Sequence, residues 1–250
     1  MNPARRYAQI CYSPVGDCAM LVELGAGIDD SLNETVLQLE AQILKLAIHG
    51  IEETTPAYNS LLLHYNPDII SFSALQETVS AIDLNQTGDL RQRYLWRVPV
   101  CYGGEFGQDL DSVANYHHLR PEDVIARHCA PRYRVYMIGF APGFTYLGGL
   151  DSTLHTPRRE NPRLQTPPGS ISIGGMQALI AGVAMPSGWQ LLGQTPVATY
   201  QPDRDPHFLI APGDAVEFFA IEAAEFDSLK QAAERGEWVA ERSELEVSQI

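Results

Sequence analysis

The sequence predicts an α+β protein in two main parts: a small α+β domain, then a barrel or sandwich of short strands with elaborate loops. Three observations carry this. Over the first 82 residues, strand-like runs and two amphipathic helices follow one another in the order ββαββα, the pattern of helices on one face of an antiparallel sheet. Residues 83–92 are polar, contain Asn85-Gln-Thr-Gly-Asp89, and read as a linker. From Tyr133 to Thr195, glycines and prolines break the chain into short β-like runs, Tyr133 to Phe140, Ser170 to Ile173 and Ala178 to Val183.

Each element has a local reason. Two strands between Ala8 and Glu23 flank the turn Ser13-Pro-Val-Gly-Asp17. Ser31 and Glu34 stand at capping-box spacing before Leu32, Val36, Leu39, Ile43 and Leu46, and Gly50 is the expected end of that helix. Ile51 to Thr55 and Ser60 to Tyr65 read as strands, and Ser73 to Ile82 as a helix opened by Ser73 and Gln76. The second part opens with a strand from Tyr94 to Cys101. Helices are expected over Asp109 to Tyr116 and Arg120 to His128, the latter with Pro121 in its first turn. Strands from Phe208 to Ile210 and Ala215 to Ile221 close the β-rich block. From Glu222 the chain is acidic and helical in pattern, read as a solvated helix that frays toward Ile250. The expected divisions are therefore 1–90, 91–221 and a tail, 222–250.

Charge narrows the function. The formal net charge of −14 over 250 residues argues against a general nucleic-acid binder, which needs a wide basic face. Against that background, His128 to Tyr200 carries Arg132, Arg134, Arg158, Arg159 and Arg163 and only two acids, Asp151 and Glu160. Lys45 and Lys230 are the only lysines, so the island is built from arginine alone. Guanidinium groups grip carboxylates and phosphates in bidentate fashion, which points to an anionic ligand or partner. The alternative is that these arginines cap turns or pair with acids elsewhere in the fold. The N-terminal stretch is too short and polar for a secretory signal, no apolar run approaches a bilayer span, and Cys11, Cys18, Cys101 and Cys129 form no C-x-x-C pair. A soluble, cytoplasmic protein with reduced thiols is expected.

The inventory of chemical groups is incomplete for an autonomous enzyme. Gly103, Gly104 and Gly107 lack the lysine and hydroxyl of a phosphate loop. His117 and His118 are adjacent and point to different sides of a helix. His128 ends a helix, where the dipole favours its charged form, and is the best single histidine for function. Ser170 lies outside any nucleophile-elbow pattern, and no lysine falls within the arginine-rich block. Trp189, Phe140, Phe144 and Tyr146 either line a pocket or fill the barrel.

Several long motifs together carry a family resemblance: Val98-Pro-Val-Cys-Tyr-Gly-Gly-Glu-Phe-Gly-Gln-Asp-Leu110, the run from Gly139 to Leu150, Thr156-Pro-Arg-Arg-Glu-Asn-Pro-Arg163, and Gly188-Trp-Gln-Leu-Leu-Gly193. With Gly16-Asp-Cys-Ala-Met-Leu-Val-Glu23, they resemble the KipI/PxpB family, also called allophanate hydrolase subunit 1, over roughly Tyr7 to Phe219. The chain departs from the frequent family pattern at Pro186-Ser-Gly-Trp189, Gly193-Gln-Thr195, Thr166-Pro-Pro-Gly-Ser170 and Ala181-Gly-Val-Ala-Met185.

The resemblance implies a small ferredoxin-like domain followed by a cyclophilin-like β-barrel. It implies the B subunit of an ATP-dependent 5-oxoprolinase, which with subunits A and C opens the lactam of 5-oxo-L-proline. ATP would act at the level of the complex, and the C subunit would meet this chain barrel to barrel. On that reading Arg158, Arg159, Arg163, Gln177 and Trp189 bind substrate, and His128 and Ser170 supply proton transfer or hydrogen bonds. No metal is expected. The other class within the family is a regulatory protein that inhibits a sensor histidine kinase. Prolyl isomerisation rests on fold analogy alone.

Overall fold

The computed structural model describes residues 5–84 and 91–245. The chain divides into two compact units, 1–91 and 92–250. The centre of the expected linker, 85–90, and the end of the tail, 246–250, lie outside the described residues.

In the first unit, strands β1 (Arg5–Pro14) and β2 (Ala19–Ala26) precede helix α1 (Asp30–Leu46). Strands β3 (Ile51–Pro56) and β4 (Ser60–Tyr65) and helix α2 (Phe72–Ser80) complete it. The sheet order is β1-β2-β4-β3, antiparallel throughout. Strands β2 and β3 both run antiparallel to β4 between them, so β2-α1-β3 is the split βαβ crossover of a ferredoxin-like sheet. Alternate residues of β2 and β4 (Met20, Val22, Leu24, Leu61, Leu63, Tyr65) pack against Leu32, Val36, Leu39 and Ile43 of α1 and Leu75 and Val79 of α2.

The helix ends differ locally from expectation. Asp29, not Ser31, caps α1: its carboxylate accepts from the Leu32 N–H at 3.0 Å. Ala47 ends the helix in the left-handed region (φ 45°), three residues before Gly50, which instead sits against the Ile69 and Ile70 side chains. The cap of α2 is Ser71 rather than Ser73.

The second unit begins with β5 (Tyr94–Tyr102), α3 (Leu110–Tyr116) and α4 (Pro121–Cys129). Strands β6 (Tyr133–Ile138), β7 (Thr145–Gly148), β8 (Arg163–Thr166), β9 (Ser170–Gly174), β10 (Gln177–Ile180), β11 (Met185–Ser187), β12 (Gln190–Gln194) and β13 (Ala215–Ala220) follow. Helix α5 (Ala223–Glu234) and strand β14 (Glu241–Glu244) end it. Phe208 to Ile210, expected as a strand, supplies only a single bridge from Phe208 to Tyr200.

Seven strands close into a barrel in the order β5-β12-β9-β10-β7-β6-β13 and back to β5, a cyclophilin-like architecture. Its interior holds Trp96, Val98, Leu147, Ile171, Ile173, Ala178, Ile180 and Val216. Because side chains alternate along a strand, these inward residues turn Tyr146, Gly174, Gln177 and Leu179 to the outer face. Strands β8 and β11 form a separate two-stranded ribbon.

The acidic tail differs from the expected fraying helix. After α5 it returns as β14, pairing with Tyr94 to Arg97 of β5, while β12 reaches that same edge only at Cys101 and Tyr102. An open β5 edge would leave backbone donors and acceptors unpaired, and the tail satisfies them. Phe226, Ala240 and Leu245 are buried, and the Arg242 guanidinium lies 4.4 Å from the Tyr94 ring centre and 4.9 Å from that of Trp238. Among the described residues no helix is long and apolar enough to cross a membrane.

Candidate active site on the outer face of the barrel

Gly174 at the end of β9 pairs with Gln177 at the start of β10, and the Trp189 ring lies directly on Gly174. A Cβ there would come within 2.7 Å of the indole, so only glycine admits the ring. Tyr146 of β7 meets Trp189 edge-on at 6.0 Å, and the exposed Arg158 guanidinium stacks 5.4 Å above the indole. Burial raises the Tyr146 pKa, and the charge of Arg158 opposes that rise. Phe144, Leu179 and Ala181 join Trp189 in an apolar cluster separate from the barrel core. The fold thus brings Arg158, Trp189 and Gln177 to one outer surface.

Arg159 and Arg163 are placed differently. Both donate to Asp109, which immediately precedes α3 and is 2% exposed. Arg163 binds it bidentately at 2.7 and 2.8 Å, and Arg159 donates at 2.8 Å. The Leu191 N–H adds a fourth bond at 2.8 Å. Burial pushes the Asp109 carboxyl upward, but the hydrogen bonds from Arg163 and Leu191 and the nearby guanidinium charges outweigh it and hold it below its usual range. This pairing is the alternative that the sequence left open for those two arginines. Two guanidinium groups share one carboxylate, so the centre retains positive charge. Beside it, a cleft of about 380 Å³ opens between Ser112 and Tyr116 of α3 and the loop carrying Arg158, Arg159, Glu160 and Asn161. Its size fits a small ligand.

His128 is fully buried in α4. Its Nδ1 lies 2.8 Å from the Tyr102 hydroxyl, its ring stacks on Phe218 at 4.8 Å, and among the described residues its Nε2 has no hydrogen-bond partner. Burial lowers its pKa to about 3, so it is neutral near pH 7. The expectation that a helix C-terminus would keep it charged is corrected: desolvation of the imidazolium exceeds the gain from a helix terminus. Its contacts are with Tyr102, Tyr133 and Phe218, not with the arginine loop. Ser170 is also buried, and its hydroxyl donates to the Pro167 carbonyl at 2.7 Å.

Two residues gain importance from the fold alone. Asp109 lies 50 residues or more before the arginines it binds; in sequence it stood at the start of an expected helix and inside the Val98 to Leu110 motif, with nothing local to mark the pairing. Lys230, remote in sequence, lines a second cleft of about 370 Å³ with Pro167, Pro168 and Gly169. Among the described residues no group of three or more His, Cys, Asp or Glu side chains could hold a metal ion.

Comparison with known proteins agrees with this architecture. The chain is 36% identical over 229 residues to a Bacillus subtilis protein named as the B subunit of 5-oxoprolinase, covering 87% of this chain and 95% of that one. The crystal structure of TTHA0988 superposes with a TM-score of 0.74 at 34% identity; the match covers 82% of this chain and 40% of the length of that larger one. The Kluyveromyces lactis urea carboxylase structure shares the fold at 21% identity, with a TM-score of 0.75, over 94% of this chain and 24% of that enzyme. Residues 10–210 match the family described as carboxyltransferase domain, subdomain C and D, and the chain belongs to that family.

Proposed function

We propose that this protein is the B subunit of an ATP-dependent 5-oxoprolinase and works only with its A and C subunits. The observation that carries the reading is the exposed Arg158 guanidinium, held over Trp189 and lining a cleft that it shares with Arg159 and Glu160. The substrate, 5-oxo-L-proline, offers a carboxylate for recognition by the exposed Arg158 guanidinium, which the buried Trp189 ring supports from beneath. The name of the B. subtilis relative supports the same assignment.

In this reaction water adds to the lactam carbonyl carbon, the ring C–N bond breaks, and the nitrogen leaves as the amino group of L-glutamate. ATP hydrolysis to ADP and phosphate drives the step within the complex. Arg158 and Gln177 bind and orient substrate, Trp189, too buried to touch it directly, carries the Arg158 guanidinium, and Arg159 and Arg163 hold the loop. Ser170 shapes the loop through its bond to Pro167, and His128 remains neutral inside the fold. The groups that move protons are then sought in the partner subunits, with the C subunit meeting this chain barrel to barrel, in the cytoplasm.

A second reading, inhibition of a sensor histidine kinase, draws on two exposed apolar side chains, Phe140 at 79% and Leu164 at 91% exposure, which suit a protein-docking surface. One reconstitution separates the two. ATP-dependent glutamate formation by the A, B and C subunits together should vanish when this chain is omitted and fall sharply with Arg158→Ala. Full activity without this chain would reject the enzyme reading and favour the regulator.

A further inference from the structure

Arg158 and Trp189 lie on two different loop segments, and their stacking requires those segments to be held in register. Beyond the β8–β11 ribbon, which pairs Ser187 with Arg163, three links span the gap. The Arg159 N–H donates to the Gly188 carbonyl at 2.7 Å, and the Gln190 side-chain amide donates to the Pro157 carbonyl at 2.8 Å. The third link is Asp109. Its carboxylate takes guanidinium bonds from Arg159 and Arg163, near the two ends of the arginine loop, and the backbone N–H of Leu191, two residues after Trp189. One buried side chain, contributed from a third part of the chain, therefore ties the segment bearing the cation to the segment bearing the indole.

We infer that Asp109 is a positioning residue that sets the Arg158–Trp189 pair for anion binding. Its effect on substrate rests on the 5-oxoprolinase reading above; its effect on geometry does not. The three arginines then divide the work. Arg159 and Arg163 anchor the loop through Asp109, and Arg158, sitting next to one anchor, presents its guanidinium to the ligand. A carboxylate suits the anchor because it accepts from several donors at once and offsets part of their charge.

Two measurements test this. In the isolated full-length chain, the Arg158 Nε–Hε NMR resonance, identified by its loss in Arg158→Gln, should carry a ring-current shift from Trp189. In Asp109→Asn it should move toward the unstacked position, with Asp109→Glu intermediate. An Arg158 resonance that stays in place in either folded variant overturns the inference. In the reconstituted complex, Asp109→Asn should raise KM for 5-oxoproline about tenfold with kcat within about threefold, as expected for a displaced binding group. In the Arg158→Gln background the same change should add less than about twofold. Equal KM effects in both backgrounds would show that Asp109 does not act through Arg158, and also overturn it. A complex of wild-type subunits with no 5-oxoprolinase activity would reject the functional reading, and the NMR result would still decide the inference.

Discussion

Asp109 and His128 are both buried titratable residues of the second unit, and the protein solves their burial in opposite ways. Asp109 keeps its charge because two guanidinium groups and a backbone N–H surround it. His128 gives up its charge because its neighbours are a phenol and aromatic rings, leaving Nε2 without a partner. The difference teaches that position on a helix end is a poor guide to a residue's protonation. The desolvation cost of a buried charge is several kcal/mol, and only counter-charges of similar strength offset it.

The largest way to break this contrast is Asp109→Leu. Removing the carboxylate leaves Arg159 and Arg163 without their counter-charge, and we expect a loss of about 3 kcal/mol in urea denaturation. The double variant Asp109→Leu with Arg163→Met should recover part of it, since one stranded charge leaves with its partner. Equal stability of the single variant and wild type would show that the pairing contributes nothing.

Next in size is the acid dependence contributed by His128. Its folded pKa of about 3 lies below the ordinary 6.5, so the unfolded chain takes up the proton first. The stability it contributes is present above pH 6.5 and is lost as pH falls toward 3, at up to about 1.4 kcal/mol per pH unit. His128→Gln should therefore flatten the stability profile between about pH 6.5 and 5 relative to wild type. Parallel profiles would mean that the histidine is hydrated in solution.

Gly174→Ala sharpens the comparison at the site itself. The added methyl meets the Trp189 ring at 2.7 Å, and displacing the indole should cost about 1–3 kcal/mol and remove the Arg158 stack. Near-ultraviolet circular dichroism and thermal melts would follow it, and an unchanged aromatic spectrum would contradict the packing. The smallest stability effect belongs to Arg158→Ala. An exposed stacked cation contributes about 0.5–1 kcal/mol, yet this variant should be the most damaging to substrate binding. A stability loss comparable to that of Asp109→Leu would make Arg158 another structural anchor.

Much of the architecture was legible in local sequence. Leu32, Val36, Leu39 and Ile43 announced the face of α1, and the short apolar run from Ser60 to Tyr65 after Pro56-Ala-Tyr-Asn59 announced β4, because these signals are properties of neighbouring residues. Within the tail, Ala223 to Glu234 read as helix, but β14 did not: Glu241 to Glu244 are all exposed and carry no apolar alternation. They form a strand because β5 presents an open edge, and nothing local records that. The centre of the candidate site was half legible. Arg158, Gln177 and Trp189 lay in a motif-rich stretch and converge, whereas the pairing of Arg159 and Arg163 depended on an acid outside the window in which charge was counted.

The sequence alone determined the ββαββα order of the first part, the two-part division of the pattern, and the concentration of arginine in one block of an acidic chain. Periodicity, turn chemistry and composition act over a few residues and survive in one dimension. Only the tertiary structure decided which arginines are already paired, that His128 is neutral, and that Gly174 is a platform for Trp189. Those outcomes depend on desolvation and on contacts between distant segments, which exist only after the barrel has closed.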